Sequence, residues 1–113
     1  MKTVSHWING SLTTDKASQV GEIFNPATGK ISGTVNFADI TTVNQAVQAA
    51  SSAFDTWRHS SLTKRTQVLF AFRELVNKNK EKIAEIITSE HGKVLSDAQG
   101  EVTRGLEVVE FAC

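Results

Sequence analysis

The repeat of apolar and polar positions changes period once along the chain, near Asp39. Ahead of that point, "SHWINGSLTT" sets Asn9-Gly10 between a short apolar segment and a Thr-rich one. That dipeptide suits a two-residue β-hairpin turn, whose central residues both take positive φ. "VGEIFNPATGK" is a short apolar run closed by Asn25-Pro26 and followed by Gly29. Pro26 disfavours helix at the residue before it and withholds a backbone donor, which predicts a turn. Ile31, Gly33, Val35 and Phe37 then alternate with Ser32, Thr34 and Asn36, the period of a strand with one buried face. Three or four short strands are expected before residue 38, with His6 in one of them.

Beyond Asp39 the period is helical. Val43, Ala46, Val47, Ala50, Ala53, Phe54 and Trp57 recur at three- and four-residue steps and form a narrow apolar stripe, with Thr42 and Gln45 as a capping box. Ser60 or Ser61 is placed to cap a second helix, whose face holds Leu62, Val68, Leu69, Phe72, Leu75 and Val76 and which runs to about Asn77. A third helix, "KEKIAEIITSEH", buries Ile83, Ala84, Ile86 and Ile87 and closes on a left-handed Gly92. Lys78, Lys80 and Lys82 crowd its start, an end that favours negative charge. The fourth helix starts near Ser96 and is still running at Cys113.

Composition narrows the functional classes. Twelve Lys and Arg balance twelve Asp and Glu, so there is no net positive field to gather nucleic acid or anionic lipid. "MKTVSHWINGSL" has neither the apolar core of a signal peptide nor the arginines of a transit peptide, and no window is apolar enough to span a bilayer. A single cysteine rules out an intrachain disulfide framework. A soluble, cytoplasmic protein is expected. The strand-rich head lacks an obvious partner sheet and the helices carry broad apolar faces, so the chain reads as a piece of a larger α/β fold.

His6, His59 and His91 lie far apart, with no second ligand at metal-site spacing, and are expected to be structural. Cys113 has no base near it in sequence and reads as a small helix hydrophobe rather than a nucleophile. Gly100 and Gly105 flank Arg104 but do not form the dinucleotide fingerprint G-x-G-x-x-G. Arg104 is the polar residue whose placement carries information. Ala98, Val102, Leu106, Val109, Ala112 and Cys113 form the main apolar face of the fourth helix, and Val108 and Phe111 extend it toward the side of Arg104. An arginine in that setting either pairs with Glu101 or Glu107, each three residues away, or presents its planar donors to an anionic ligand. Arg65 is expected to tie the start of the second helix to a neighbouring segment or carboxylate.

Taken in order, "FNPATGKISGTV", "AVQAASSAFDTWR", "RTQVLFAFRELVNKNKEKIAEIITSEHGK" and "LSDAQGEVTRGLEVVEFAC" resemble the amino-terminal region of the aldehyde dehydrogenase superfamily. The resemblance covers essentially the whole chain. "GEVTRGLEVVEFAC" is most similar to the CoA-acylating branch, the methylmalonate-semialdehyde dehydrogenases. It implies an incomplete α/β fold of the aldehyde dehydrogenase type, here an amino-terminal β-hairpin and short strands followed by four helices. Residues 1–113 would be the amino-terminal part of the NAD-binding domain, strand-rich over 1–38 and helical over 39–113, with the catalytic and oligomerisation domains absent. The implied reaction converts methylmalonate or malonate semialdehyde, with NAD and CoA, to propionyl-CoA or acetyl-CoA in a homo-oligomeric enzyme. Arg104 would hold the substrate carboxylate. No catalytic, cofactor-binding or metal-binding residue is expected in this chain, which alone should be inactive and bind neither cofactor tightly. The alternatives are another aldehyde dehydrogenase, such as a succinate-semialdehyde type, or a truncated non-catalytic module.

Overall fold

The computed structural model describes residues 2–13 and 17–113 and divides into two compact units, one ending at His59 and the other beginning at Ser60. The first unit holds five strands, β1 (Lys2–Val4), β2 (Trp7–Ile8), β3 (Ser11–Leu12), β4 (Val20–Phe24) and β5 (Ile31–Asn36), then helix α1 (Ile40–Trp57). The β2–β3 pair is the expected hairpin: Trp7 faces Leu12, and Asn9 and Gly10 take φ of 51° and 78° at its turn. His6 lies just outside β2 rather than in a strand, although its carbonyl accepts the N–H of Thr13 at 2.9 Å just beyond the Trp7–Leu12 pair.

The larger sheet has the order β1-β5-β4, with β5 central, parallel to β1 and antiparallel to β4. Among the described residues five strands stand where three or four were expected, since β1 is only three residues long and gains its identity from pairing with β5, far away in sequence. Gly33 is the point of closest approach: a Cβ there would lie 2.7 Å from the carbonyl oxygen of Lys2. Between β4 and β5, the Asn25 side chain accepts the N–H of Ala27 at 2.9 Å and Gly29 turns through φ 67°, completing the turn predicted at Pro26.

The start of α1 differs from the expected Thr42–Gln45 box. Asp39 is the cap, its Oδ1 accepting both the N–H and the hydroxyl of Thr42 at 2.8 Å, so Thr42 is already inside the helix. Those bonds, the Thr42 N–H first, hold the Asp39 carboxyl below the usual carboxylate range. The apolar stripe of α1 is present but none of its residues is buried; Val47 and Phe54 remain more than half exposed.

The second unit is three helices, α2 (Leu62–Lys78), α3 (Lys80–His91) and α4 (Leu95–Ala112). Ser61 caps α2 by accepting the N–H of Lys64 at 3.2 Å. Asn79 ends α2 and begins α3 at once, its side-chain amide donating to the Leu75 carbonyl at 2.8 Å, and so offers α3 no side-chain cap. Gly92 closes α3 at φ 84°, as the sequence requires. The core forms where α3 meets α4: Ala84 and Ala98 are wholly buried beside Val102, with Val76, Ile83 and Ile87 around them. Ala98, Val102 and Leu106 are the buried residues of α4 and follow the predicted four-residue spacing. On α2, by contrast, Leu62, Phe72 and Leu75 stay at least half exposed.

Candidate functional site

The turn at Gly92 brings Lys93 beside the second turn of α4. Its ammonium donates to Oε1 of Glu101, forming an ion pair across the turn. The Lys93 hydrogen bond is the chief cause holding the Glu101 carboxyl below its ordinary value, with further help from the positive charges of Lys93, Arg104 and His91. Arg104 follows one helical turn later. It is exposed, and its Nη1 lies 3.6 Å from where a Cβ on Gly100 would stand, so the guanidinium leans back over a position that has no side chain.

Neither helical pairing open to Arg104 is formed. Among the described residues no carboxylate lies within ion-pair distance of it: Glu101 is turned to Lys93, and Glu107 is exposed without a salt bridge. An exposed guanidinium with its donors unspent can receive a carboxylate or phosphate in bidentate fashion. Spacing along the helix offered Glu101 or Glu107 as its partner, and could not show that Glu101 is taken by a cation eight residues before it, outside helical periodicity, in a turn.

The other candidates are dispersed. Arg65 is exposed in the first turn of α2 and, among the described residues, has no carboxylate partner, so the tie expected of it does not form. Arg73, unremarked in the sequence, instead braces α2 to α4: Nε and Nη2 donate to Glu110 Oε1 at 2.9 and 2.7 Å, and Nη1 to Glu74 at 2.8 Å. His59 accepts from Arg58 Nε at 3.1 Å, His91 is the last residue of α3, and no cluster of metal-ligating side chains occurs among the described residues. Cys113 caps the end of α4, half-buried. Among the described residues no helix is long and apolar enough to cross a membrane.

Among the described residues the strand-to-helix junction β5–α1 is not a glycine-rich turn of the kind that cradles a dinucleotide. At the β5–α1 junction the helix N-terminus is filled by the carboxylate of Asp39, which would repel a pyrophosphate.

Residues 13–113 match the family model described as "Aldehyde dehydrogenase family". Malonate-semialdehyde dehydrogenase of Pseudomonas aeruginosa is 43% identical over 113 residues, covering 100% of this chain and 22% of that protein. A candidate acylating methylmalonate-semialdehyde/malonate-semialdehyde dehydrogenase of Caenorhabditis elegans mitochondria is 41% identical over 111 residues, 98% of this chain and 21% of the relative. Among solved structures, a candidate methylmalonate-semialdehyde dehydrogenase from Sinorhizobium meliloti in complex with NAD superposes with a TM-score of 0.93 at 39% identity, over 98% of this chain and 23% of the other. The chain therefore spans between a fifth and a quarter of the length of these relatives.

Proposed function

The chain belongs to the aldehyde dehydrogenase family, and on that footing we propose that it is the amino-terminal part of an NAD- and CoA-dependent semialdehyde dehydrogenase in which Arg104 holds the carboxylate of the substrate. The observation that carries this is an exposed guanidinium that pairs with neither of its helical carboxylates, Glu101 being held by Lys93 and Glu107 standing apart from it. Relatives named for malonate semialdehyde and methylmalonate semialdehyde, both aldehydes that bear a carboxylate, support the same reading.

The reaction proposed for the whole enzyme oxidises the aldehyde carbon, passes hydride to NAD and transfers the acyl group to CoA. Loss of the carboxylate as carbon dioxide leaves acetyl-CoA from malonate semialdehyde or propionyl-CoA from its methylated form. No residue described here is assigned to NAD, to CoA or to the covalent step. What this segment contributes is binding and orientation, since a two-point grip on the carboxylate fixes where the aldehyde carbon sits. As residues of the NAD-binding domain, the strands and helices would serve as its amino-terminal part.

An aldehyde panel with and without CoA, run on the full-length enzyme that contains this segment, tests the assignment. Arg104→Lys should raise KM for malonate semialdehyde far more than for propanal, because lysine keeps the charge and loses the fork. Equal effects on the two aldehydes would sink the carboxylate role. Turnover of malonate semialdehyde by the 113-residue chain alone would overturn its reading as a part of the enzyme.

A further inference from the structure

We propose that Lys93 is a positioning residue that sets the availability of Arg104: by holding Glu101, it keeps the best-placed carboxylate of α4 off the guanidinium and leaves those donors to a ligand. The inference rests on the reading of Arg104 as a carboxylate anchor. It starts from a competition between two cations for one carboxylate.

Glu101 stands three residues before Arg104 on the same helix, a spacing at which side chains meet. An acid placed amino-terminal to its cation is also the better-oriented pair, so Glu101 is a stronger competitor for Arg104 than Glu107, which follows it. Left alone, Glu101 would cap the guanidinium and close the site to anions. Lys93 prevents this from outside the helix: its ammonium, on a side chain that is 21% exposed, meets Glu101 Oε1. Gly92 makes that approach possible, because its left-handed φ of 84° reverses the chain immediately before Lys93. Of the positive groups near Glu101, namely Lys93, Arg104 and His91, the one that hydrogen-bonds it is Lys93.

The test uses the full 113-residue chain, with the Arg104 Nε–Hε resonance assigned by its loss in Arg104→Lys and with malonate as the probe. In ligand-free Lys93→Met, the Arg104 resonance should shift and its exchange with water should slow as Glu101 turns to it. Malonate affinity read at that resonance should weaken about two- to five-fold, the range of an exposed ion pair. Lys93→Arg should keep the original behaviour, and adding Glu101→Gln to Lys93→Met should return the resonance to its original position. An Arg104 resonance that does not move in ligand-free Lys93→Met overturns the proposal, since mere loss of a distant positive charge would weaken malonate without engaging Arg104. If the resonance moves in Lys93→Met but malonate perturbs it no more than chloride does at equal ionic strength, the exchange of Glu101 stands and the carboxylate-anchor reading falls.

Discussion

Glu101 accepts from the ammonium of Lys93, eight residues back across the turn at Gly92, and not from the guanidinium of Arg104 one helical turn ahead. That choice does two things. It ties the start of α4 to the turn that ends α3, and it leaves Arg104, the cation of α4, without an ion pair among the described residues.

The first consequence is a pH dependence. Folding lowers the Glu101 carboxyl below its ordinary 4.5, so its contribution to stability is fully present above that value and is lost as pH falls through the folded value. The stability difference between the chain and Glu101→Gln should be constant from neutrality to about pH 5 and shrink below it. Urea midpoints for both proteins across that range would show this, and a difference that widens in acid would contradict it.

The Arg73 fork makes a different demand. Because Nε and Nη2 converge on one oxygen of Glu110 while Nη1 serves Glu74, lysine cannot reproduce the brace even though it keeps the charge. Arg73→Lys and Arg73→Met should therefore speed amide exchange to a similar degree in the last turns of α4, with Ala98 and Val102 unaffected. A lysine variant indistinguishable from the original protein would mean that charge alone suffices.

Close packing of α3 on α4 depends on two alanines with no exposed surface, Ala84 and Ala98. Ala98→Leu inserts a branched side chain where no space exists and should cost about 1–3 kcal/mol in denaturant unfolding. Val108→Ala is the control: Val108 is 70% exposed, and the change should stay within about 0.5 kcal/mol.

Much of this was legible in the sequence where the determinants are local. Asn9-Gly10, Pro26 with Gly29, and Gly92 each dictate backbone torsions by their own chemistry and lie where the turns are. The four-residue spacing of Ala98, Val102 and Leu106 predicted the buried face of α4 because a helix carries its own period. What escaped depends on partners far along the chain. β1 has no pattern of its own and exists through Gly33 and Val35; Asp39 outcompetes Thr42 for the cap of α1 through side-chain reach that spacing does not encode. The same limit applied at the candidate site. Arg104 was identifiable as an arginine among apolar neighbours, yet that Glu101 is taken by Lys93 was not, because that link crosses a turn. The exposure of Val47, Phe54, Leu62 and Phe72 was likewise unreadable, since amphipathic spacing marks an apolar face and not what covers it.

Gly33 gives the most localised prediction. A methyl group at this position would stand 2.7 Å from the Lys2 carbonyl oxygen and 3.7 Å from Ile23 Cδ1, so β1 has to yield while β4 is left in ordinary contact. Gly33→Ala should cost about 1–3 kcal/mol through that forced displacement. Its signature should be selective: protection from exchange is lost along the β1–β5 ladder while the β4–β5 ladder, from Val20 paired with Asn36 to Ile23 paired with Gly33, keeps it. Ser32→Ala, which removes only an exposed hydroxyl bond to the Ile23 carbonyl at 3.1 Å, should leave both ladders protected. Equal loss from the two ladders in Gly33→Ala would show that glycine is needed for the strand as a whole and not for the approach of Lys2.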